Sequence, residues 1–377
     1  MLACPLREGY VGRVIEVETG TARAWVDVDV AALVANARTV QAHARVPLLP
    51  MVKANGYGLG AVPVARALEA VAPWGFGVAT TDEAAALRRA GILRPIVVFT
   101  PLAPWTVDAC LAAEARPAIG DLAALDAWRA RAGGRPFHVE LDTGMGRAGF
   151  RADEPALLDA LAQRLAGADG LEGLFTHFHS ADHDRASVAA QLARFDAARR
   201  RLPRAPLVHA ANSAAALRHP EAAFDLVRPG IFVYGGDAGA AVAPRAVARV
   251  RARVVAARCV PAGASVGYDA RWRAASPTEV ATLAIGYGDG VPRALANAGR
   301  VALDDGREGT MVGTLSMDMV TIVVDGPPPA PGEAVTVLGG PVPLDAQAAR
   351  AGTISYDLLV ALGSRLPRRY LDGGRVQ

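Results

Sequence analysis

The stretch PLLPMVKANGYGLGAVPVARALEAV (residues 47–71) carries the pattern that decides the fold. It opens with a short apolar run, PLLPMVKA. A glycine-bearing turn follows, then a segment, VPVARALEAV, whose apolar residues recur at helical spacing. The same strand, turn and helix return along the chain. Further apolar runs are WGFGVAT, PIVVFT, RPAI, FHVELDT, LEGLFTHF, LVHAAN and LVRPGIFVYG. Helical segments such as TDEAAALRRAG and SVAAQLARFDAARRR separate most of them. Eight strands with helical crossovers predict a parallel (β/α)8 TIM barrel, an α/β fold. A doubly wound open sheet fits less well, because no G-x-G-x-x-G follows the first strand.

From about Ala243 the rhythm becomes β-like. AVARVRARVVAARCV, EVATLAIGYGDGV, TMVGTLSMDMVTIVVD and AVTVLGG are separated by turns such as PAG, DDG and PPPAPG. Residues 14–242 are therefore read as the barrel and 243–377 as a second, mainly β domain. Residues 1–13 are expected to pair with the β domain, as is the strand-like YVGRVIEVETG (residues 10–20).

A chain of 377 residues suits two domains. Its net charge of +3 is spread without a basic block, so neither nucleic acid nor membrane is an expected partner. Cys4, Cys110 and Cys259 show neither disulfide nor zinc spacing. The opening MLACPLREGY lacks the basic and apolar regions of a secretory leader, and a cytoplasmic protein is the expectation.

Lys53 is the sole lysine among 40 Lys+Arg residues. Arginine can replace lysine on a solvated surface or in an ion pair. It cannot readily lose its proton or form a Schiff base with an aldehyde, whereas a lysine of lowered pKa does both. Lys53 is thus a candidate nucleophile at the end of the first barrel strand, where barrel active sites collect. Other unusual groups fall after later strands: Arg147 in LDTGMGRAGF, His177 in THFHSAD, Ser213 in AANSAA, and Arg228 and Gly230 in VRPGIFVYG. Ser213 at a helix start and the amides near Gly230 make a candidate phosphate cup. A lysine for an aldehyde and a cup for a phosphate together suggest pyridoxal phosphate (PLP).

Here the chain resembles the alanine racemase family. MVKANGYGLG is similar to the family's PLP-lysine motif. The likeness continues through AWVDVDVAALVANA, LDTGMGRAGF, FTHFHSAD, HAANSAA, VRPGIFVYG, VPAGASVGYDARW, LAIGYGDGVPR, GTLSMDMV and ISYDLLVALGSRLPR, in the family's order. The resemblance implies a PLP barrel and a C-terminal β domain in a homodimer that interconverts L- and D-alanine, supplying D-alanine for peptidoglycan. By motif, Lys53 would hold PLP; Tyr57, Ser213, Gly230, Ile231 and Tyr356 would surround its phosphate. Arg228 would face the pyridine nitrogen and Arg147 the phenolic oxygen. Tyr268, oriented by His177, would be a second base in the other subunit's site, with Met317 and Asp318 near the substrate carboxylate and Tyr287 at the entry.

Two positions depart from the motifs. Leu59 stands where the family has a histidine. Glu140 stands where many members carry a carbamylated lysine; strand alternation puts it on one face with His138 and Asp142, toward the loop of Arg147.

Other readings compete. Without the resemblance, Tyr268 reads as a turn aromatic and Met317 as core; a structural ion pair is an alternative role for Arg228, and Asp142 and Thr143 suit loop fixing as well as cofactor contact. His177, His179, Asp182, His183 and Asp184 could instead be metal ligands of a barrel hydrolase, since His-x-His on a strand puts both rings on one face, with His209 as a further ligand, although that leaves Lys53 unexplained. A non-catalytic PLP carrier, a decarboxylase of similar architecture, and a racemase of serine or broader range are further alternatives.

Overall fold

The structure, a computed structural model, describes residues 21–372. The expected pairing of residues 1–13 and 10–20 falls outside them. Two compact units are present among the described residues: Val34–Pro244 forms one, and residues 21–33 with 245–372 form the other.

Six parallel strands run in sequence order through the first unit: Phe76–Val78, Ile96–Val98, Arg116–Ile119, Phe137–Asp142, Leu171–Phe175 and Leu207–His209. Two more segments close the ring. Met51 bridges to Gly77 on one side and Leu48 to Val227 on the other. Arg228 N donates to Ala211 O at 2.8 Å and Asp225 N to Val208 O at 3.0 Å, joining the eighth segment to the seventh strand. Pro47, Pro50 and Pro229 supply no N–H to a ladder, so these segments pair by bridges rather than as full strands.

Helices connect the strands and end as local chemistry directs. Thr81–Arg89 begins with a capping box, Thr80 to Glu83. Asp121, Asp184 and Asn212 cap the helices that follow them. Phe76, Phe137, Phe175, Leu48 and Leu49 are fully buried.

The second unit is an eight-stranded sheet built on one long strand, Ala248–Val260. That strand pairs with Thr278–Leu283, Ala334–Leu338 and Ala24–Asp29, all antiparallel. Strands Val320–Val324, Glu308–Val312 and Arg300–Ala302 link Thr278–Leu283 back to Ala334–Leu338. Ala24–Asp29 lies within the segment that the sequence pattern assigns to the barrel. It is instead a sheet strand, held on its other edge by a parallel pairing with Arg368–Leu371. Asp27, almost buried, takes two hydrogen bonds from Arg369, at 2.6 and 3.0 Å.

Candidate active site

Lys53 follows the first barrel segment and is half-buried. The chain then turns left-handed: Ala54, Asn55, Gly56, Tyr57 and Gly58 have φ of 51, 54, 62, 52 and 80°. Such backbone costs roughly 1–2 kcal/mol for each non-glycine residue, so it needs fixing from outside. Glu83 does this. Its Oε1 accepts from Ala54 N at 2.6 Å, while Oε2 accepts from Ala79 N at 2.7 Å. Asn55 Oδ1 accepts from Ala61 N at 3.0 Å, tying the turn to the next helix. Burial, then the Arg147 charge, holds the Lys53 amine below the usual lysine range; Glu83 opposes this and Arg228 adds to it.

Beyond the eighth segment the backbone packs closely. Ser213 Oγ accepts from Gly230 N at 2.8 Å and from Phe232 N at 3.4 Å. The amide between them, Ile231 N–H, has no acceptor among the described residues. A Cβ at Gly230 would overlap the Tyr57 hydroxyl, so glycine alone permits this approach. Tyr57 stacks on Tyr234 with ring centroids 4.3 Å apart, and Tyr234 donates to Met51 O at 2.8 Å. A hydroxyl, a phenol and a free amide thus meet at the start of the helix Ser213–Arg218, an arrangement suited to an anion.

Arg228 is buried, and both of its terminal nitrogens are held. NH2 donates to Thr176 O at 2.8 Å and Ala210 O at 3.0 Å, and lies 3.3 Å from His177 Nδ1. NH1 lies 2.7 Å from His209 Nδ1. The guanidinium also sits over the Phe99 and Phe175 rings, at 5.6 and 5.4 Å. Burial lowers its pKa to about 10, which leaves it charged at neutral pH. Its Nε–H has no acceptor among the described residues. Burial and the Arg228 charge push half-buried His177 down to about 3, with Arg147 and Lys53 adding to the effect.

Arg147 is exposed and makes no hydrogen bond or ion pair with a described residue, although its charge acts on Lys53, His177, Glu140 and Arg228. Glu140 is buried and forms no direct ion pair with it. Burial raises the Glu140 carboxyl, and Arg147 and Arg228 pull it back. Gly149 makes room for it, since a Cβ there would meet Glu140 Cγ at 2.9 Å. Asp142 and Thr143 fix the loop: Asp142 Oδ1 accepts from Gly144 N at 2.9 Å and Gly146 N at 3.1 Å, and Thr143 O accepts from Arg194 Nε at 2.7 Å.

The metal reading meets a correction. The strand ends at Phe175, so His177 and His179 lie beyond it and do not share a strand face. His177 turns to Arg228, while His179 bonds Ser180 Oγ at 2.7 Å. Asp182 pairs with His183 at the surface, and Asp184 caps a helix. His209 is occupied with Arg228 and His138. Among the described residues no group of three His, Cys, Asp or Glu side chains suits a metal ion.

In the second unit, Tyr268 is 66% exposed and its carbonyl accepts from Thr314 Oγ1 at 3.0 Å. Tyr287 and Met317 are drawn together by the backbone, with Gly288 N donating to Met317 O at 2.9 Å. Arg365 binds Asp318 at 2.8 Å and buried Asp289 at 3.0 Å, so it sets the position of Asp318. Tyr356 is exposed in the first turn of the helix Ser355–Val360.

Several supporting residues escape a sequence reading. Glu83 is visible as a capping-box glutamate, but its bond to Ala54 is not. Tyr234, Glu172 and Arg365 lie within stretches that the sequence singles out, but nothing local marks their roles, because their partners Met51, His138 and Asp289 are distant in the chain.

The comparisons with known proteins agree on one family. The pattern described as alanine racemase, N-terminal domain, matches residues 28–238, and that of the C-terminal domain matches 247–370. The alanine racemase of Acidiphilium cryptum is 39% identical over 350 residues, covering 90% of this chain and 97% of the relative. That of Symbiobacterium thermophilum is 38% identical, covering 92% and 96%. A Bartonella henselae alanine racemase structure with covalently bound pyridoxal phosphate has a TM-score of 0.86 and 30% identity, covering 93% of this chain and all of the other. The biosynthetic alanine racemase of Pseudomonas aeruginosa is similar at 0.85 and 31% identity, covering 93% and 99%.

Proposed function

The chain belongs to the alanine racemase family, and we propose that it interconverts L- and D-alanine with PLP held on Lys53. The observation that carries this reading is the sole lysine, at a barrel strand end, with its pKa lowered by burial and Arg147. The surrounding residues fit the cofactor. Arg228 Nε–H is a free donor for a ring nitrogen, and Ile231 N–H, Ser213 and Tyr57 offer an anion cup. When bound, PLP supplies an electron-withdrawing ring that acidifies the α-C–H of an amino acid attached to it.

The protein's own groups then handle the proton. Lys53 Nζ removes it on one face, from D-alanine, and the Tyr268 oxygen removes it on the other, from L-alanine. Arg228 can donate but not accept, so it keeps the ring nitrogen unprotonated and limits electron withdrawal. This disfavours proton return at the wrong atom. His177 accepts from Arg228 at Nδ1, stays neutral, and presents Nε2–H to orient the Tyr268 phenol. Arg147 serves the phenolic oxygen of the cofactor, and Gly230 and Tyr356 its phosphate. Met317, Asp318 and Tyr287 define a small substrate pocket and its entry.

The working form is a homodimer in which Tyr268, Met317 and Asp318 serve the partner's site. The exposure of Tyr268, Met317, Met319 and Ile354 supports an assembly surface. A cytoplasmic location and a role in D-alanine supply for peptidoglycan complete the reading. No helix of the described residues is long and apolar enough to cross a membrane. The test is racemisation across a panel of L-amino acids by the PLP-loaded protein. Turnover of alanine above all others supports the assignment; none with alanine refutes it.

A further inference from the structure

The hydrogen bonds of Arg228 extend through the barrel interior. NH1 lies 2.7 Å from His209 Nδ1. A guanidinium has no acceptor, so that nitrogen carries no proton. Neutral His209 then bears its proton on Nε2, 2.8 Å from His138 Nδ1. His138 Nδ1 must therefore be bare, and Nε2–H points to Glu172 Oε2 at 3.0 Å. The same carboxylate oxygen accepts from Arg116 Nε at 2.6 Å. Every bond thus donates in one direction, from Arg228 through two imidazoles to a carboxylate. A proton added to Nδ1 of either histidine would set two N–H groups against each other.

The surroundings keep the rings in place. Both histidines are fully buried. Phe175 stacks parallel to His209 at 5.0 Å, and Trp74 lies 5.8 Å from His138. Gly173 pairs with His138 in register, and a Cβ there would overlap the imidazole. Burial holds both imidazoles below the usual histidine range, and Arg228 adds to this. Glu172 and Arg116, each about one-fifth exposed, sit at the N-terminal ends of their strands, opposite the end from which Lys53 and Arg228 emerge.

We propose that Glu172 is a remote positioning residue for Arg228, acting through the fixed tautomers of His138 and His209 to keep the guanidinium aligned in the active site. Its effect on turnover rests on the racemase reading; the tautomers do not. Without an acceptor at Glu172, the buried His138 Nε2–H is left unpaired, which favours moving its proton to Nδ1. That move calls for a bare His209 Nε2 and an Nδ1–H that meets the Arg228 donor, so the two ends of the chain then compete for the tautomer and the Arg228 contact is weakened.

The experiment uses the PLP-loaded protein labelled with 15N-histidine, with His138 and His209 assigned by single His→Asn substitutions. Both rings are expected to show a bare Nδ1 and a protonated Nε2, without titration between about pH 5.5 and 8. Glu172→Met is expected to shift His209 toward the Nδ1–H form and to lower kcat for alanine about tenfold, with KM changed less than twofold. Glu172→Gln retains an acceptor oxygen and should restore the tautomer and most of kcat. An Nδ1–H tautomer in the wild type overturns the proposal, as does a kcat loss in Glu172→Met without a change at His209, or unchanged kcat. If Glu172→Met does not fold, the wild-type spectra and Glu172→Gln still decide. Wild-type protein with the expected spectra but no alanine turnover would sink the racemase reading and leave the tautomer chain standing.

Discussion

The Glu83 carboxylate binds the backbone of the residue directly after Lys53, with Oε1 2.6 Å from Ala54 N. The other oxygen holds Ala79 N, so a single side chain joins the left-handed turn to the end of the second barrel strand. Glu83→Gln can keep only one of these bonds with an oxygen. A hydrogen bond to a charged group contributes about 1.5–3 kcal/mol, and a stability loss of that size is expected in urea unfolding, together with weaker retention of PLP. A variant as stable as the wild type, with equal PLP affinity, would contradict this role.

Lys53→Arg preserves the charge and removes the chemistry. The expected outcome is a folded protein without the yellow, borohydride-reducible linkage and without racemisation. Retention of that linkage would overturn the assignment of Lys53.

Tyr268→Phe removes one of the two proposed bases. α-Hydrogen exchange with deuterated solvent should become strongly unequal between L- and D-alanine. Mixing Lys53→Ala with Tyr268→Ala chains should recover some activity, because a hybrid dimer retains one intact site. Equal exchange at wild-type rates, or verified hybrids with no activity, would count against two bases and shared sites respectively.

Glu140 lies close enough to influence Arg147 and Arg228 but not close enough to Arg147 for a direct ion pair. Its charge is expected to hold Arg147 at longer range. Loss of about 1.4 kcal/mol of transition-state stabilisation is a tenfold effect, and Glu140→Gln should lower kcat/KM by at least about that factor with PLP still bound. Wild-type activity should not respond to bicarbonate, whereas Glu140→Lys should gain from it. Unchanged kcat/KM in Glu140→Gln is the result that would reject the anchor.

Stability should decline as solutions become mildly acidic. His138, His177 and His209 are held below their ordinary range in the fold, His177 at about 3. In the unfolded chain each binds a proton near about pH 6.5. The unfolded state therefore holds more protons below that pH, and stability is lost as pH falls through it. Glu140, raised by burial, contributes with the opposite sign above about pH 4.5, one group against three. Urea midpoints should rise between about pH 5 and 7, and His177→Gln should flatten the rise. A midpoint higher at the acidic end would refute this balance.

The barrel is legible in the sequence because each strand, turn and helix announces itself locally. Lys53, Ser213, Arg228 and Gly230 stand out for the same reason, each a special residue type at a strand end or helix start. The left-handed turn is only half legible: Gly56 and Gly58 signal it, but Ala54, Asn55 and Tyr57 do not. The extent of the His177 strand is misread, since alternation alone does not show that pairing stops at Phe175. Ala24–Asp29 alternates like any strand, and nothing near it in the chain reveals that its partners are Ala248–Val260 and Arg368–Leu371. Glu172 reaches His138 by way of the fold, with no sequence spacing to suggest it.

That early strand sets a timetable for synthesis. Ala24–Asp29 leaves the ribosome about 220 residues ahead of its first partner and about 340 ahead of Arg368–Leu371. At about 5–20 residues per second, the interval before Ala248 is on the order of 10–45 s. The contiguous unit Val34–Pro244 can fold in that time, before either sheet partner of AWVDVD has been made. An open edge invites pairing with another nascent chain, and Asp27 and Asp29 on this strand discourage it by charge. Once the last strand arrives, Asp27 is nearly buried against Arg369, so the side chain that protects the waiting edge becomes part of the closed sheet.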